Sequence, residues 1–344
     1  MDRLSQYAAL AAVLAGLTGC FHDPVTDNQT CSGLRSLWFC DADADGYSDG
    51  TGLCARERPG ADYRAPDELA GLAVDCDDAD PAVHPLAQEL CGDGTDNDCD
   101  GIADCSYPAP SLWQPAPGTS WQWQLTGQID RSFNAAMYDI DLFDSPQSLI
   151  DQLHAEGRIV VCYFSAGSWE NWRPDADMFP ASVKGAVLQG WPDERWLDIR
   201  RLDILGPLLE TRLDMAAAKG CDGVEPDNVD AYSNRSGFLL TSYDQLRFNV
   251  WLARQAHARG LSVGLKNDLE QIPQLLYYFD WALNEQCFLY GECEALVPFV
   301  EADKAVFGVE YELEPDEFCP EANAMNFDWL KKSYDLDASR QSCR

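Results

Sequence analysis

Apolar positions along the second two-thirds of the chain repeat one unit: an amphipathic helix, a glycine stop, then a short apolar strand. Ser145-Pro146 opens the first such helix, with serine as cap and proline in the first turn. Leu149, Ile150 and Leu153 form its apolar face, Gly157 ends it, and Arg158 to Phe164 reads as a buried strand. Ile204, Leu205, Leu208, Leu209, Leu213 and Ala216 keep helical spacing up to Gly220, and Asp222 to Glu225 follows as strand. Thr241 and Asp244 make a capping box for a helix through Leu246, Val250, Ala253 and Ala256 to Gly260, with Leu261 to Leu265 next. Further strand candidates are Trp121 to Leu125, Met137 to Asp141, Trp196 to Ile199, Phe279 to Leu283 and Ala305 to Tyr311. Strands alternating with helices in this number and length predict an α/β fold, a (β/α)8 TIM-type barrel of about 230–250 residues. An open doubly wound sheet is the alternative, but no glycine-rich phosphate loop supports it. The link between the first two strands is short for a helix, so the first unit is expected to be irregular.

This pattern fails upstream of Pro108. From Phe21 to Pro108 there are 20 Asp or Glu against 4 Arg, with many Gly and Cys and few large apolar residues. Such a stretch cannot build an ordinary core, so disulfides and metal must hold it. Ser106-Tyr107-Pro108-Ala109-Pro110 reads as a stiff joint. The expected organisation is a signal segment over residues 1–20, an Asp/Cys-rich metal-binding module and linker over 21–108, and the barrel over 109–344.

Two runs in the small module share one ligand grammar. Asp41, Asp43, Asp45 and Asp49 stand at loop positions 1, 3, 5 and 9 with Gly46 at 6, and Asp96, Asp98, Asp100 and Asp104 repeat this around Gly101. Alternate carboxylates wrap a hard cation while the glycine makes the turn, so structural Ca²⁺ is the expected ion. Position 12 is Gly52 in one run and Tyr107 in the other, not the glutamate of an EF-hand, so flanking helices are not expected. Asp75-Cys76-Asp77-Asp78-Ala79-Asp80 is a third acidic cluster, and the block from Asp75 to Asp104 resembles the calcium-binding, thrombospondin type-3-like repeats of bacterial surface proteins. His84 reads as a surface histidine.

The amino terminus has Arg3, an apolar run from Tyr7 to Leu17 too short to span a bilayer, and Leu17-Thr18-Gly19-Cys20. This resembles the lipobox of bacterial lipoproteins and implies acylation of Cys20, hence an exported protein anchored in the outer membrane or at the cell surface. Fourteen cysteines agree with export. Seven fall between Cys31 and Cys105 and six between Cys162 and Cys343, with connectivity open. Cys162 and Cys221, in or beside buried strands, read as inert core thiols. Across all 344 residues, 24 Lys and Arg face 58 Asp and Glu, a net charge of −34. That charge opposes nucleic acid and favours divalent cations and polycations.

Barrel enzymes carry their chemistry at the carboxyl ends of the strands. Those ends supply Asp139, Asp141, Tyr163, Trp169, Asp198, Glu225, Asp227, Asn228, Lys266, Asn267, Glu285 and Tyr311. Carboxylates among aromatic rings suit glycoside cleavage, in which one acid protonates the leaving oxygen and a second carboxylate attacks or activates water. With 4 His in the chain there is no histidine metal triad, and no Gly-x-Ser-x-Gly elbow is present, so no catalytic cofactor is expected.

The run Trp121 to Leu125, Tyr138-Asp-Ile-Asp141, Cys162 to Glu170, Gly190-Trp191, Trp196 to Ile199, Gly220 to Asp230, Gly264 to Asn267 and Asn284-Glu-Gln-Cys287 resembles glycoside hydrolase family 114. The resemblance implies a barrel enzyme cutting α-1,4-linked galactosamine-rich polysaccharide internally, with Asp227 and Glu285 as its catalytic carboxylates. The other rim residues are candidate substrate contacts by their place at strand ends; Asp139, Asp141 and Asp198 could instead cap helices or bridge to arginine, Trp169 could be core, and Lys266 is expected as a counter-charge for buried acids. Which carboxylate is the acid stays open. The alternatives are a non-catalytic carbohydrate-binding or adhesion protein on the same barrel, and a hydrolase of another α-linked amino-sugar polymer.

Overall fold

The computed structural model describes residues 36–99, except 51, 67, 71–74, 86, 88, 89, 91 and 92, and residues 112–344. Cys20 with its apolar run, the linker, and Asp100 and Asp104 lie outside the described residues. The chain divides into two compact units, Met1–Ser106 and Tyr107–Arg344.

The larger unit is built on eight parallel strands: β1 (Trp121–Gln124), β2 (Met137–Asp141), β3 (Ile159–Ser165), β4 (Gly223–Asp227), β5 (Ser262–Lys266), β6 (Trp281–Glu285), β7 (Val306–Glu310) and β8 (Asp328–Lys331). They pair in that order, each parallel to the next. Helices α1 (Gln147–Ala155), α2 (Leu202–Lys219), α3 (Ser242–Ala258) and α4 (Pro315–Ala324) follow β2, β3, β4 and β7, and the shorter helices Ile272–Leu275 and Val297–Glu301 follow β5 and β6. The β1–β2 link carries no helix, as its length implied. This sequential order is that of a TIM-type barrel.

The strands are apolar because both faces are covered: β2, β5 and β7 are buried at every position. Trp121, Trp123, Val161, Trp281, Leu283 and Phe307 pack together in the core. Each such side chain contributes about 1.5–3 kcal/mol by leaving water. Gly264 is required here, since a Cβ at that position would lie 2.2 Å from the Trp281 ring. At the seam, Trp121 of β1 donates its indole N–H to the Asp328 carbonyl of β8 at 2.8 Å, and its ring lies 4.9 Å from that of Phe307.

The Thr241–Asp244 capping box forms, and Gly220 ends α2 at φ 79°. Three sequence expectations need correction. Ser145 does not cap α1; Pro146 occupies the cap position and the helix starts at Gln147. Cys162 and Cys221 are not free thiols but a disulfide tying β3 to the turn before β4. Trp196 to Ile199 is not a barrel strand. Trp191–Leu197 pairs antiparallel with both Ser168–Glu170 and Lys184–Leu188, in a small sheet inserted between β3 and α2. Its first three residues are exposed and buried positions follow only from Glu194, a pattern unsuited to a barrel strand covered on both faces. The eighth barrel strand is Asp328–Lys331 instead, short and ended by charged residues, and therefore inconspicuous in the apolar pattern.

In the smaller unit, Ser36–Cys40 pairs antiparallel with Gly52–Ala55 and with Tyr63–Arg64, so the first acidic loop joins two strands and no helix flanks it. Cys76 and Cys99 are bridged.

Candidate active site and metal centre

Asp227, Lys266 and Glu285 are the last residues of β4, β5 and β6. The residue after each turns left-handed: Asn228 at φ 61°, Asn267 at 51° and Gln286 at 67°. Asparagine accepts that region at modest cost and glutamine less readily, so consecutive strand ends carry local strain of the kind found where a backbone aims functional groups. Ala166 and Gly167, after β3, both donate their N–H to the Asp227 carbonyl, at 2.9 and 3.0 Å. A Cβ on Gly167 would fall 1.7 Å from the Asn228 carbonyl oxygen, so the contact behind Asp227 admits only glycine.

Lys266 organises the site. Its ammonium is 3.0 Å from Glu225, 3.0 Å from Asp227 and 3.2 Å from Glu285, and the residue is 2 % exposed. Burial alone would lower its pKa, but the carboxylates of Asp227, Glu225 and Glu285 outweigh burial and hold it well above the ordinary lysine value. The sequence expectation of a counter-charge for buried acids is met at this residue. Tyr163 donates to Asp227 at 3.1 Å and the Asn228 N–H donates at 2.8 Å; Tyr311 donates to Glu285 at 2.5 Å, and Asn267 donates to it at 3.4 Å. Trp123 lies under the cluster, with its indole N–H on Glu225 at 3.0 Å and the Lys266 ammonium 4.8 Å from its ring centre.

Asp139 is fully buried beside Glu225. Burial, and then the Glu225 charge, push its pKa well above the carboxylate range. Burial likewise raises Glu225, against Lys266, to about 7. Asp141 caps its own turn and forms a two-pronged pair with Arg173 at 3.0 and 2.7 Å; Glu170 shares that guanidinium at 2.7 Å.

These strand ends open into a cleft of about 1050 Å³. Asp141, Tyr163, Asp227, Asn228, Lys266, Asn267, Glu285 and Tyr311 line it. Asp139 and Glu225 sit beneath, buried. Trp169 is not among the lining residues: its N–H goes to the Ala176 carbonyl and Lys184 covers its ring at 3.8 Å. Asp198 pairs with Arg200 at 2.7 Å, away from the lining. The cleft also contains groups not among the residues read from the strand ends: Glu194 and Trp191 on the inserted sheet, Trp172 beside it, Tyr290 at the end of a short helix after β6, and Tyr334 after β8. Those four aromatic rings are half-exposed or more. The barrel order puts the insertion after β3 across the ring from the loops after β6 to β8, so the aromatics flank the carboxylates from both sides.

In the smaller unit, the first acidic loop meets the third cluster. Oxygens of Asp41, Asp43 and Asp45 lie within 4.8 Å of one another, and so do those of Asp43, Asp75 and Asp78. Asp78 also accepts the Ala42 N–H at 2.9 Å. Buried oxygens of Asp41, Asp43, Asp45 and Asp75 have no donor among the described residues. Burial, with neighbouring acids, raises Asp75 to about 6 and Asp78 to about 7. An all-carboxylate cage with unsatisfied oxygens fits a hard cation. Asp75 and Asp78 were not foreseen as partners of the first loop. Asp49 groups instead with Cys40 and Asp78, and Asp96 and Asp98 fall outside these groups. His84 stacks on Tyr47 at 5.0 Å and belongs to none of them.

No curated protein matches the chain. Among solved structures, Ega3 from Aspergillus fumigatus, crystallised in complex with galactosamine, is 43 % identical with a TM-score of 0.65, covering 67 % of this chain and 97 % of that one. The glycoside hydrolase domain of PelA from Pseudomonas aeruginosa shares the fold at 16 % identity and a TM-score of 0.52, over 65 % of this chain and 97 % of that one. A profile described as a metal-binding motif matches residues 75–104. The profile of glycoside-hydrolase family GH114 matches residues 104–344, and the chain belongs to that family.

Proposed function

We propose that this glycoside hydrolase cleaves α-1,4-linked, galactosamine-rich polysaccharide at internal positions, with Asp227 and Glu285 as its catalytic pair. The observation that carries this reading is the Lys266-bridged pair at the floor of a cleft whose acids outnumber its cations. The galactosamine complex of the 43 % identical Ega3 supports the sugar. A glycan with free amines is cationic and suits such a cleft. Aromatic rings on both flanks suit a chain running across the barrel mouth, since rings serve as platforms for sugar faces.

Asp227 is assigned as nucleophile. Three donors at 2.8 to 3.1 Å fix its carboxyl group in place, and its side chain is 19 % exposed against 28 % for Glu285. Glu285 protonates the glycosidic oxygen as the bond to the anomeric carbon breaks and Asp227 forms the glycosyl ester. Glu285 then takes a proton from water, which displaces Asp227. One ammonium at 3.0 and 3.2 Å from the two acids keeps their nearest oxygens close. That suits the roughly 5–5.5 Å spacing of retaining enzymes better than the ~6.5–9.5 Å of inverting ones. Incubating the full chain with polymers of defined acetylation tests the reading: reducing ends should accumulate faster as the free-amine fraction rises. Equal rates on a neutral α-glucan would overturn it.

Charge-driven recognition should be sensitive to salt. Raising ionic strength from 0.1 to 1 M shortens the screening length from about 10 to about 3 Å, so KM for the amine-bearing polymer should rise several-fold. A salt-independent KM would count against it.

The smaller unit we assign as a Ca²⁺-stabilised spacer, with Asp41, Asp43, Asp45, Asp75 and Asp78 as ligands. It follows a lipid anchor at Cys20 that places the enzyme on the outside of the cell. Folding and metal binding are then coupled. Chelation should make residues 36–99 protease-sensitive and leave hydrolysis unchanged. Unchanged protection under limited proteolysis would remove the calcium role, and lost hydrolysis would remove the spacer role.

A further inference from the structure

Three buried acids line the cleft: Asp141, Glu170 and Glu194. Arg173 binds the first two. Glu194, 6 % exposed, forms no ion pair among the described residues; its hydrogen-bond partner is the Ser168 hydroxyl, which donates at 2.7 Å. Its place is fixed from behind. Ser168 bonds the Ser165 hydroxyl at 2.7 Å, and the Asn228 amide donates to Ser165 at 2.9 Å and to Ser168 at 3.4 Å. Glu194 is thus joined through two serines to the residue that follows Asp227. Burial pushes its pKa up to about 7, against the Ser168 hydrogen bond and with the Glu170 and Asp227 charges adding to the rise. A carboxylate so placed has no ion-pair partner among the described residues, the Arg173 charge reaching it only weakly, and a buried charge without a partner is costly.

We infer that Glu194 is the specificity residue that pairs with the substrate's sugar ammonium, selecting galactosamine over its N-acetylated form. This deepens the galactosamine reading and rests on it. An acetamide would bring a neutral group and extra bulk against the carboxylate, leaving it unpaired. The free amine supplies a charge-assisted hydrogen bond, about twice as strong as a neutral one. Asp230, half-buried and also lining the cleft, is raised as well, by burial first and then by Asp227, to about 6. The Asn234 side chain opposes that rise, and its amide donates to the Asp230 backbone carbonyl at 3.0 Å.

The test uses the full chain, α-1,4-galactosamine oligosaccharides and their N-acetylated counterparts, with free galactosamine as competitor. Glu194→Gln keeps an acceptor for Ser168 and removes the charge. KM for the amine-bearing substrate and the inhibition constant of galactosamine should each rise about tenfold, the worth of one charged hydrogen bond. Values for the N-acetylated ligands should hold or improve, and Glu194→Asp should keep part of the amine preference. Thermal unfolding checks that both variants fold. A folded Glu194→Gln protein that keeps its preference, or weakens equally on both substrates, overturns the assignment and leaves the hydrolase reading standing. Wild-type protein inert on both substrates would overturn the galactosamine reading and this assignment with it.

Discussion

Asp227→Asn and Glu285→Gln should each lower turnover by more than about a hundredfold, because general acid–base catalysis alone contributes about 10²–10⁴ and a lost nucleophile more. Both replacements keep side-chain shape, and both residues stand partly exposed at the cleft, so the barrel should stay folded. The two losses should differ in kind. Without Asp227 no glycosyl ester forms, and a small external nucleophile such as azide can restore some turnover from the opposite face. Without Glu285 the loss should shrink for substrates whose leaving group needs no protonation. Either variant retaining more than about a tenth of wild-type turnover would mean the pair is misassigned.

Lys266→Met should be nearly as damaging, and to stability as well. The ammonium is buried and serves Glu225, Asp227 and Glu285 together. Removing one partner of a buried ion cluster typically costs about 3–5 kcal/mol, because uncompensated charge is left behind. Some of this will be relieved by protonating Glu225, already raised to about 7 by burial. A proton taken up by the folded variant makes it relatively more stable at low pH, so the destabilisation should grow as pH rises through the neutral range. Denaturant unfolding of the variant at several pH values measures this. A loss that is small and independent of pH would show that Lys266 is not the counter-charge the geometry makes it.

Which parts of this site were legible in the chain follows from how each residue is placed. Asp227, Lys266 and Glu285 end apolar strands that announce themselves by composition, and barrel strand ends are where chemistry collects. Glu194 was hidden for the opposite reason. It sits in Pro192-Asp193-Glu194-Arg195, which reads as a solvated charge run, and only antiparallel pairing turns residue 194 inward while 193 and 195 face out. That pairing is long-range, so no local periodicity carries it. The same holds for β8, which is four residues long. Trp169 and Trp172 lie three positions apart, and which of them faces the cleft depends on the Ala176 carbonyl and Lys184 that claim the former. In the smaller unit the alternating acids of the first loop were visible as a cation grammar, but the joining of Asp75 and Asp78 to that loop depends on tertiary contact. Disulfide partners such as Cys162 and Cys221 are likewise set by which strands become neighbours.

The most direct test of the central claim is the length distribution of early products when the full chain acts on de-N-acetylated α-1,4-galactosamine polymer, read by mass spectrometry beside the Asp227→Asn variant. An endo-acting enzyme using this pair predicts a ladder of hexosamine oligomers at low conversion from wild type and intact polymer from the variant. Monosaccharide as the sole early product, no cleavage by wild type, or the same ladder from the variant would contradict the account.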